Sequence, residues 1–220
     1  TRTQQDVELD RPFADVSVYN ARIMGPPHVR NVTDLACRTA IGQKGVAHIS
    51  FPVDTQSAEA ERQSSKRNVA FHSSAAHGSP ARLAERDELQ AAADILNRGE
   101  RVMILVGRGA IGAADEIEAV ADKLGAPVAK ALLGKAAVPD DSPFVTGGVG
   151  LLGTRPSQEA MEACDTLLIV GSAFPYVEFY PQPAQARGVQ IDRDPTQIGL
   201  RFPVEAGLVG DSRRTLSDLL

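Results

Sequence analysis

The sequence predicts an α/β fold, a doubly wound parallel sheet of about five to six strands preceded by a partial α/β domain. Three observations carry this. From Arg82 onward, short apolar segments alternate with amphipathic helical ones, the pattern of a parallel sheet wound on both faces. Segments such as V-M-I-L-V at 102–106 and T-L-L-I-V at 166–170 are continuously or nearly continuously apolar, as strands covered on both sides must be. The first of them runs straight into the glycine-punctuated turn G-R-G-A-I-G at 107–112 and then a helix, a layout that can cradle a phosphate.

Taken in order, residues 1–53 begin with an irregular polar stretch. A helix over 27–43 follows, with Val29, Val32, Ala36, Ala40 and Ile41 at helical spacing, and then a strand over 46–51 closed by Pro52. One helix and one strand cannot make a core, so the apolar Val29, Val32, Leu35 and Ile41 are expected to dock or self-associate. Residues 54–81 are rich in Ser, Ala, Gln, Glu and Arg and lack periodicity, which reads as a linker. Residues 82–220 then carry helix 83–97, strand 102–106, helix 113–124, strand 128–132 and a long Gly/Pro-rich passage. Helix 157–164, strand 166–170, strand 189–192, a strand near 207–209 and a final helix from 212 complete the domain.

Composition narrows the function classes. With 43% apolar and 23% charged residues in 220, the chain is ordinary globular material. A net charge of −5 without a basic stripe argues against a nucleic-acid partner. The apolar runs are far shorter than the roughly 20 residues that cross a bilayer, so no transmembrane segment is expected. No signal peptide is visible, and a cytoplasmic location is the default. The chain starts at Thr1 without a methionine, as an excised piece or processed product would. Cys37 and Cys164 lie in helical patterns and read as small buried residues. The four histidines lack metal-ligand spacing, so no metal ligand is assigned.

In an open parallel sheet, ligands sit beyond the carboxyl ends of the strands. The residues there are 107–112, 133–135, 171–176, 192–194 and 210–211. A dinucleotide fold of the usual kind places an acid roughly 20 residues after the glycine turn to hold a ribose. Here P-V-A-K-A-L-L-G-K at 127–135 offers two lysines and no acid. Simple NAD(H) binding is therefore demoted in favour of a nucleotide held in another manner across the same rim. G-G-V-G-L-L-G at 147–153 has four glycines in seven residues, which lets the chain lie flat against a planar ligand or make unusual turns. G-S-A-F-P-Y-V-E-F-Y-P at 171–181 holds four of the ten aromatics, either rings for a flat heterocycle or a satellite cluster under a loop. Asp192 ends a strand and can accept ribose hydroxyls, whereas Asp194 and Asp211 read as N-caps.

With these motifs assembled, residues 82–220 resemble the central domain of thiamine-diphosphate-dependent enzymes, especially the flavin-carrying branch with pyruvate oxidase and acetolactate synthase. V-G-R-G-A-I-G-A, P-V-A-K-A-L-L-G-K, G-G-V-G-L-L-G, A-C-D-T-L-L-I-V-G-S, F-P-Y-V-E-F-Y-P, Q-I-D-R-D-P-T-Q-I-G and V-G-D-S-R-R-T-L carry the similarity in fixed order. F-P-Y with the nearby F-Y-P most resembles pyruvate dehydrogenases that pass electrons to quinones. Residues 1–53 resemble the end of the family's pyrimidine-binding domain, through F-A-D-V-S-V-Y-N and G-V-A-H-I-S-F-P-V-D. Gln5 falls on the glutamine of the family's F-Q-E motif, which lines the active site, with Gln4 in place of the phenylalanine.

The resemblance implies FAD as the ligand of this domain. Its contacts would be Gly107, Arg108, Gly109, Val149, Gly150, Leu151, Leu152, Ser172, Ala173, Phe174, Pro175, Tyr176, Asp192 and Arg193. It also implies thiamine diphosphate and Mg in the parent protein, an oligomer (dimer or tetramer), and partnership with pyrimidine and diphosphate domains. The glutamate that activates the aminopyrimidine and the G-D-G…N metal and diphosphate motif belong to those domains. The chain alone is therefore expected to be inactive, with no catalytic residue assigned beyond the active-site lining at Gln5. Two other readings stay open: a non-catalytic central domain used for packing, and an ADP- or CoA-type nucleotide site.

Overall fold

The computed structural model describes residues 7–59, 82–182 and 184–220. The chain divides into two compact units, Thr1–Pro80 and Ala81–Leu220. In the first, strand β1 (Tyr19–Arg22) pairs in parallel with β2 (Ala47–Ser50) through helix α1 (Pro26–Gln43). Pro26 and Pro27 open α1, where their missing N–H groups cost nothing, and Lys44 ends it in the left-handed region at φ 48°. Val32 and Ala36 of α1 are buried.

Several expectations for this unit need correction. The polar opening contains β1, whose Y-N-A-R sequence gives no apolar alternation because none of its residues is fully buried. Cys37 is exposed, since it lies one position round the helix from Ala36. Leu35 and Ile41 of the same helix, two of the residues expected to dock or self-associate, present exposed apolar surface on this unit. The expected linker at 54–81 starts with a short helix α2 (Val53–Gln56); residues 60–81 lie outside the described residues.

The second unit is a six-stranded sheet in which every neighbouring pair is parallel. Its strands are β3 (Val102–Val106), β4 (Val128–Lys130), β5 (Val145–Gly148), β6 (Thr166–Val170), β7 (Arg187–Asp192) and β8 (Ala206–Val209). Their order is β5-β4-β3-β6-β7-β8, so the direction of winding reverses between β3 and β6. Helices α3 (Arg86–Asn97), α4 (Ala114–Leu124), α5 (Arg155–Ala163) and α6 (Ser212–Leu219) connect and cover it.

Alternation along each strand sorts the core into two layers. Val102, Ile104, Val106, Val128, Leu168 and Ile191 pack with Ile95 of α3, Ile117 of α4 and Leu216 of α6. Met103, Leu105, Ala129, Leu167 and Ile169 pack on the other face with Met161 of α5, Phe174 and Tyr180. Each fully buried Leu, Ile or Met contributes roughly 1.5–3 kcal/mol. Cys164 belongs to this second layer, and burial pushes its thiol up to about 11.

Two elements differ from the sequence expectation. The strand expected at 128–132 stops at Lys130, because Ala131 turns the chain into a 3-10 turn at Leu132–Gly134. The Gly/Pro-rich passage contains β5, whose V-T-G-G has little strand propensity of its own. Pairing with β4 makes it a strand, with a register shift between Val128 and Ala129. Among the described residues no helix is long and apolar enough to cross a membrane.

Candidate functional site: a cavity at the carboxyl rim of the sheet

A cavity of about 550 Å³ opens beyond the carboxyl ends of β5 and β4, within the range typical of small-molecule sites. Its walls include Thr146, Gly147 and Gly148 of β5 and the turn that follows to Leu152, Lys130 at the end of β4 with Leu132 beyond it, and Phe174 and Tyr176 after β6. The turn closes on itself: Val149 N donates to Lys130 O at 3.1 Å, Gly153 N to Gly150 O at 2.7 Å and Thr154 N to Gly148 O at 2.9 Å. Gly147 and Gly150 take φ of +120° and +101°, which only glycine adopts without strain. Closure of the turn leaves Leu151 and Leu152 outward, 73% and 86% exposed. Leu132, Leu133, Tyr176 and Val177 are likewise exposed along this rim.

The aromatic segment after β6 divides between the core and the cavity edge. Phe174 and Tyr180 are core residues, with ring centroids 5.9 Å apart, and Tyr180 stacks on Phe202 at 5.6 Å. The Tyr180 hydroxyl donates to Phe174 O at 3.1 Å. Burial raises its pKa well above the ordinary phenol range. Tyr176, by contrast, is half exposed and reaches the cavity edge-on to Phe174 at 5.5 Å.

Of the residues expected to contact a nucleotide, the cavity gathers Val149, Gly150, Leu151, Leu152, Phe174 and Tyr176. Gly107, Arg108, Gly109, Ser172, Ala173, Pro175, Asp192 and Arg193 are not part of its wall. Gln5 lies outside the described residues.

Two amides of the glycine turn, those of Gly107 and Gly109, are already taken within the protein and do not stand free for a phosphate. Gly107 N donates to Val170 O and Gly109 N to Gly171 O, both at 2.9 Å. A Cβ on Gly107 would lie 2.4 Å from Gly171 O, and one on Gly109 would lie 2.8 Å from Gly171 Cα. These glycines are small because the loops after β3 and β6 pack backbone against backbone at the reversal of winding. Gly134 joins the same node, its Cβ position 2.6 Å from Val106 O.

Asp192, half-buried at the end of β7, accepts from the Asp194 amide at 3.0 Å, and burial raises its pKa. Asp194 caps its 3-10 turn by accepting from Thr196 N at 2.9 Å and from the Thr196 hydroxyl at 2.7 Å; the hydroxyl bond first, and then the amide bond, hold its carboxyl below the usual range. Asp211 accepts from Arg214 N at the start of α6.

Sequence reasoning missed a cluster of charge at the cavity rim. Lys130 is only 3% exposed; its ammonium donates to Val138 O at 3.0 Å and to Asp140. Lys135 reaches the other oxygen of Asp140 at 2.8 Å. Hydrogen bonds from Lys130 and then Lys135 hold the Asp140 carboxyl at about 2. The acid that pairs with the two lysines of the 127–135 segment comes from V-P-D-D, five residues beyond Lys135. Among the described residues no group of three or more His, Cys, Asp or Glu side chains gathers to hold a metal.

Comparison with known proteins agrees with the architecture. A family model for the thiamine pyrophosphate enzyme central domain matches residues 89–219. The chain is 34% identical to YdaP of Bacillus subtilis, described as thiamine pyrophosphate-containing, over 98% of this chain and 36% of that protein. It is 29% identical to pyruvate oxidase of Lactiplantibacillus plantarum, over 99% of this chain and 36% of that protein. A solved thiamin diphosphate-dependent enzyme from Mycobacterium smegmatis shares the fold at a TM-score of 0.71 and 24% identity, over 96% of this chain and 40% of that one. The chain therefore spans little more than a third of the length of these relatives. By the family match across the six-stranded unit, the chain belongs to the thiamine pyrophosphate enzymes and contains their central domain.

Proposed function

We propose that this chain is the flavin-nucleotide module of a thiamine-diphosphate-dependent enzyme acting on a 2-keto acid such as pyruvate, by oxidative decarboxylation or carboligation. The observation that carries the proposal is the rim cavity, with its glycine turn, exposed Leu151 and Leu152, and Tyr176 at the edge. Apolar walls with a few polar groups suit a flat heterocycle joined to a polar tail. The likeness to pyruvate oxidase supports the same substrate class.

When bound, a flavin would supply electron transfer, and thiamine diphosphate held elsewhere in the parent would supply carbanion stabilisation. The residues of this chain bind and orient. The turn at 147–152 and Tyr176 would flank the ring system and keep water from one of its faces. Gly107 and Gly109 fix the loops on either side of the reversal, so that Phe174 is held under Gly150. We further propose that the chain alone does not decarboxylate, that the parent assembles as an oligomer, and that it resides in the cytoplasm.

The test is titration of FAD with the chain, read by flavin fluorescence excited in the visible, where the protein does not absorb. Saturable quenching supports the assignment. A folded chain that leaves the fluorescence unchanged rejects it. Saturable binding of ADP without FAD favours an ADP- or CoA-type site. One observation favours a second reading, a packing domain without nucleotide: the Gly107 and Gly109 amides of the glycine turn are already spent on Val170 and Gly171.

A further inference from the structure

We propose that Lys130, Lys135 and Asp140 form an anion-exchange site at the rim of the cavity, in which Asp140 is a resident counterion that a phosphate group of the ligand replaces. This rests on reading the cavity as a ligand site and specifies the charge that the ligand carries there. All three residues line the cavity. Lys130 closes β4 with its side chain almost wholly out of water. A lone buried ammonium is costly, so it needs a partner at all times.

The partners present do not use the ammonium fully. It has three N–H donors and two acceptors, Val138 O and Asp140. Asp140 is unlike a permanent structural partner: it sits in a turn, 66% exposed, and shares its charge with Lys135, itself 71% exposed. Such exposed pairs contribute little. Two ammonium groups against one carboxylate leave one positive charge at the rim.

A phosphate carries more charge than a carboxylate and more acceptor oxygens. It can therefore engage both lysines and the unused donor together. Asp140 is free to swing into solvent when displaced, because among the described residues its carboxylate is held only by the two lysines. Val138 O would keep its bond to Lys130 throughout.

The test compares the chain with Asp140→Asn, Lys135→Met and Lys130→Met, using inorganic pyrophosphate, FAD and riboflavin as probes in calorimetric titrations at low salt. Asp140→Asn removes the competitor while keeping an oxygen for Lys130. It is expected to tighten pyrophosphate about tenfold, the equivalent of one charge-assisted hydrogen bond regained. Lys135→Met is expected to weaken it by a similar factor, and Lys130→Met to abolish it. If FAD tightens with Asp140→Asn and riboflavin does not, the phosphate is that of the nucleotide; if only pyrophosphate responds, the site takes a free phosphate-type anion. Should Lys130→Met fail to fold, the opposed signs of the other two variants still decide. Unchanged or weakened pyrophosphate affinity in Asp140→Asn overturns the exchange site, whether or not FAD binds. Loss of FAD uptake alone, with the pyrophosphate responses intact, counts against the flavin assignment instead.

Discussion

Gly107→Ala separates the two roles of a glycine turn, close packing and ligand access. Gly107 has φ of −117°, where alanine is unstrained, so any cost comes from space. Its new methyl would stand 2.4 Å from Gly171 O and 2.5 Å from Ser172 Cβ. The first is about 1 Å short of ordinary contact, and the obstacle is backbone. Overpacking of this kind costs roughly 1–3 kcal/mol. Moving Gly171 O also disturbs the bond it accepts from Gly109 N, at about 1 kcal/mol. Reduced freedom of the unfolded chain returns about 0.4–1 kcal/mol. The net loss is about 1–3.6 kcal/mol, or roughly 3–12 °C in Tm for a domain of this size. Gly148→Ala is the control, because its nearest neighbour is Lys130 O at 3.7 Å. It should leave stability within about 0.5 kcal/mol, while adding a methyl at the cavity wall. Urea unfolding of both variants without ligand provides the comparison. If Gly107→Ala matches wild type, or if Gly148→Ala loses as much, close packing is not why the turn is glycine.

Two further outcomes follow from the rim. The Asp140 carboxyl is held at about 2, below its ordinary 3.8, by the two lysines. Its contribution is therefore complete above about pH 4 and lost as pH falls toward 2; the stability gap between wild type and Asp140→Asn should shrink across that window, and a gap independent of pH would contradict the pairing. Replacing the exposed Leu151 and Leu152 together by serine should change folding stability by less than about 1 kcal/mol yet weaken flavin uptake at least severalfold. Unchanged uptake in the folded variant would remove these side chains from the site.

Much of the fold was legible because its signals are local. Near-continuous apolar runs at 102–106 and 166–170 mark buried parallel strands wherever they occur, and the periodic stripes of α3 and α4 mark helices against a sheet. The caps at Asp194 and Asp211 were readable for the same reason, since each acts on amides two or three residues away. The rim as the place for a site also followed from the alternation alone.

Other features depend on contacts between residues far apart in the chain. β5 is a strand because β4 offers it a ladder, whatever the propensity of V-T-G-G. Cys37 and Cys164 both lie in helical patterns, but only the second has a sheet beneath it. The glycines at 107 and 109 have the sequence of a phosphate cradle, and the loop after β6, more than 60 residues on, turns them into a packing node. In the sequence Lys130 stands only as one of two lysines where an acid is sought, and the fold buries it beside Asp140. Sequence determined most strands and helices of the second unit and pointed to its carboxyl rim as the place for a ligand; tertiary structure decided β1 and β5, and which of the Gly107, Gly109 and Lys130 donors are already taken, because a hydrogen-bonding group can be spent on a partner that no local pattern reveals.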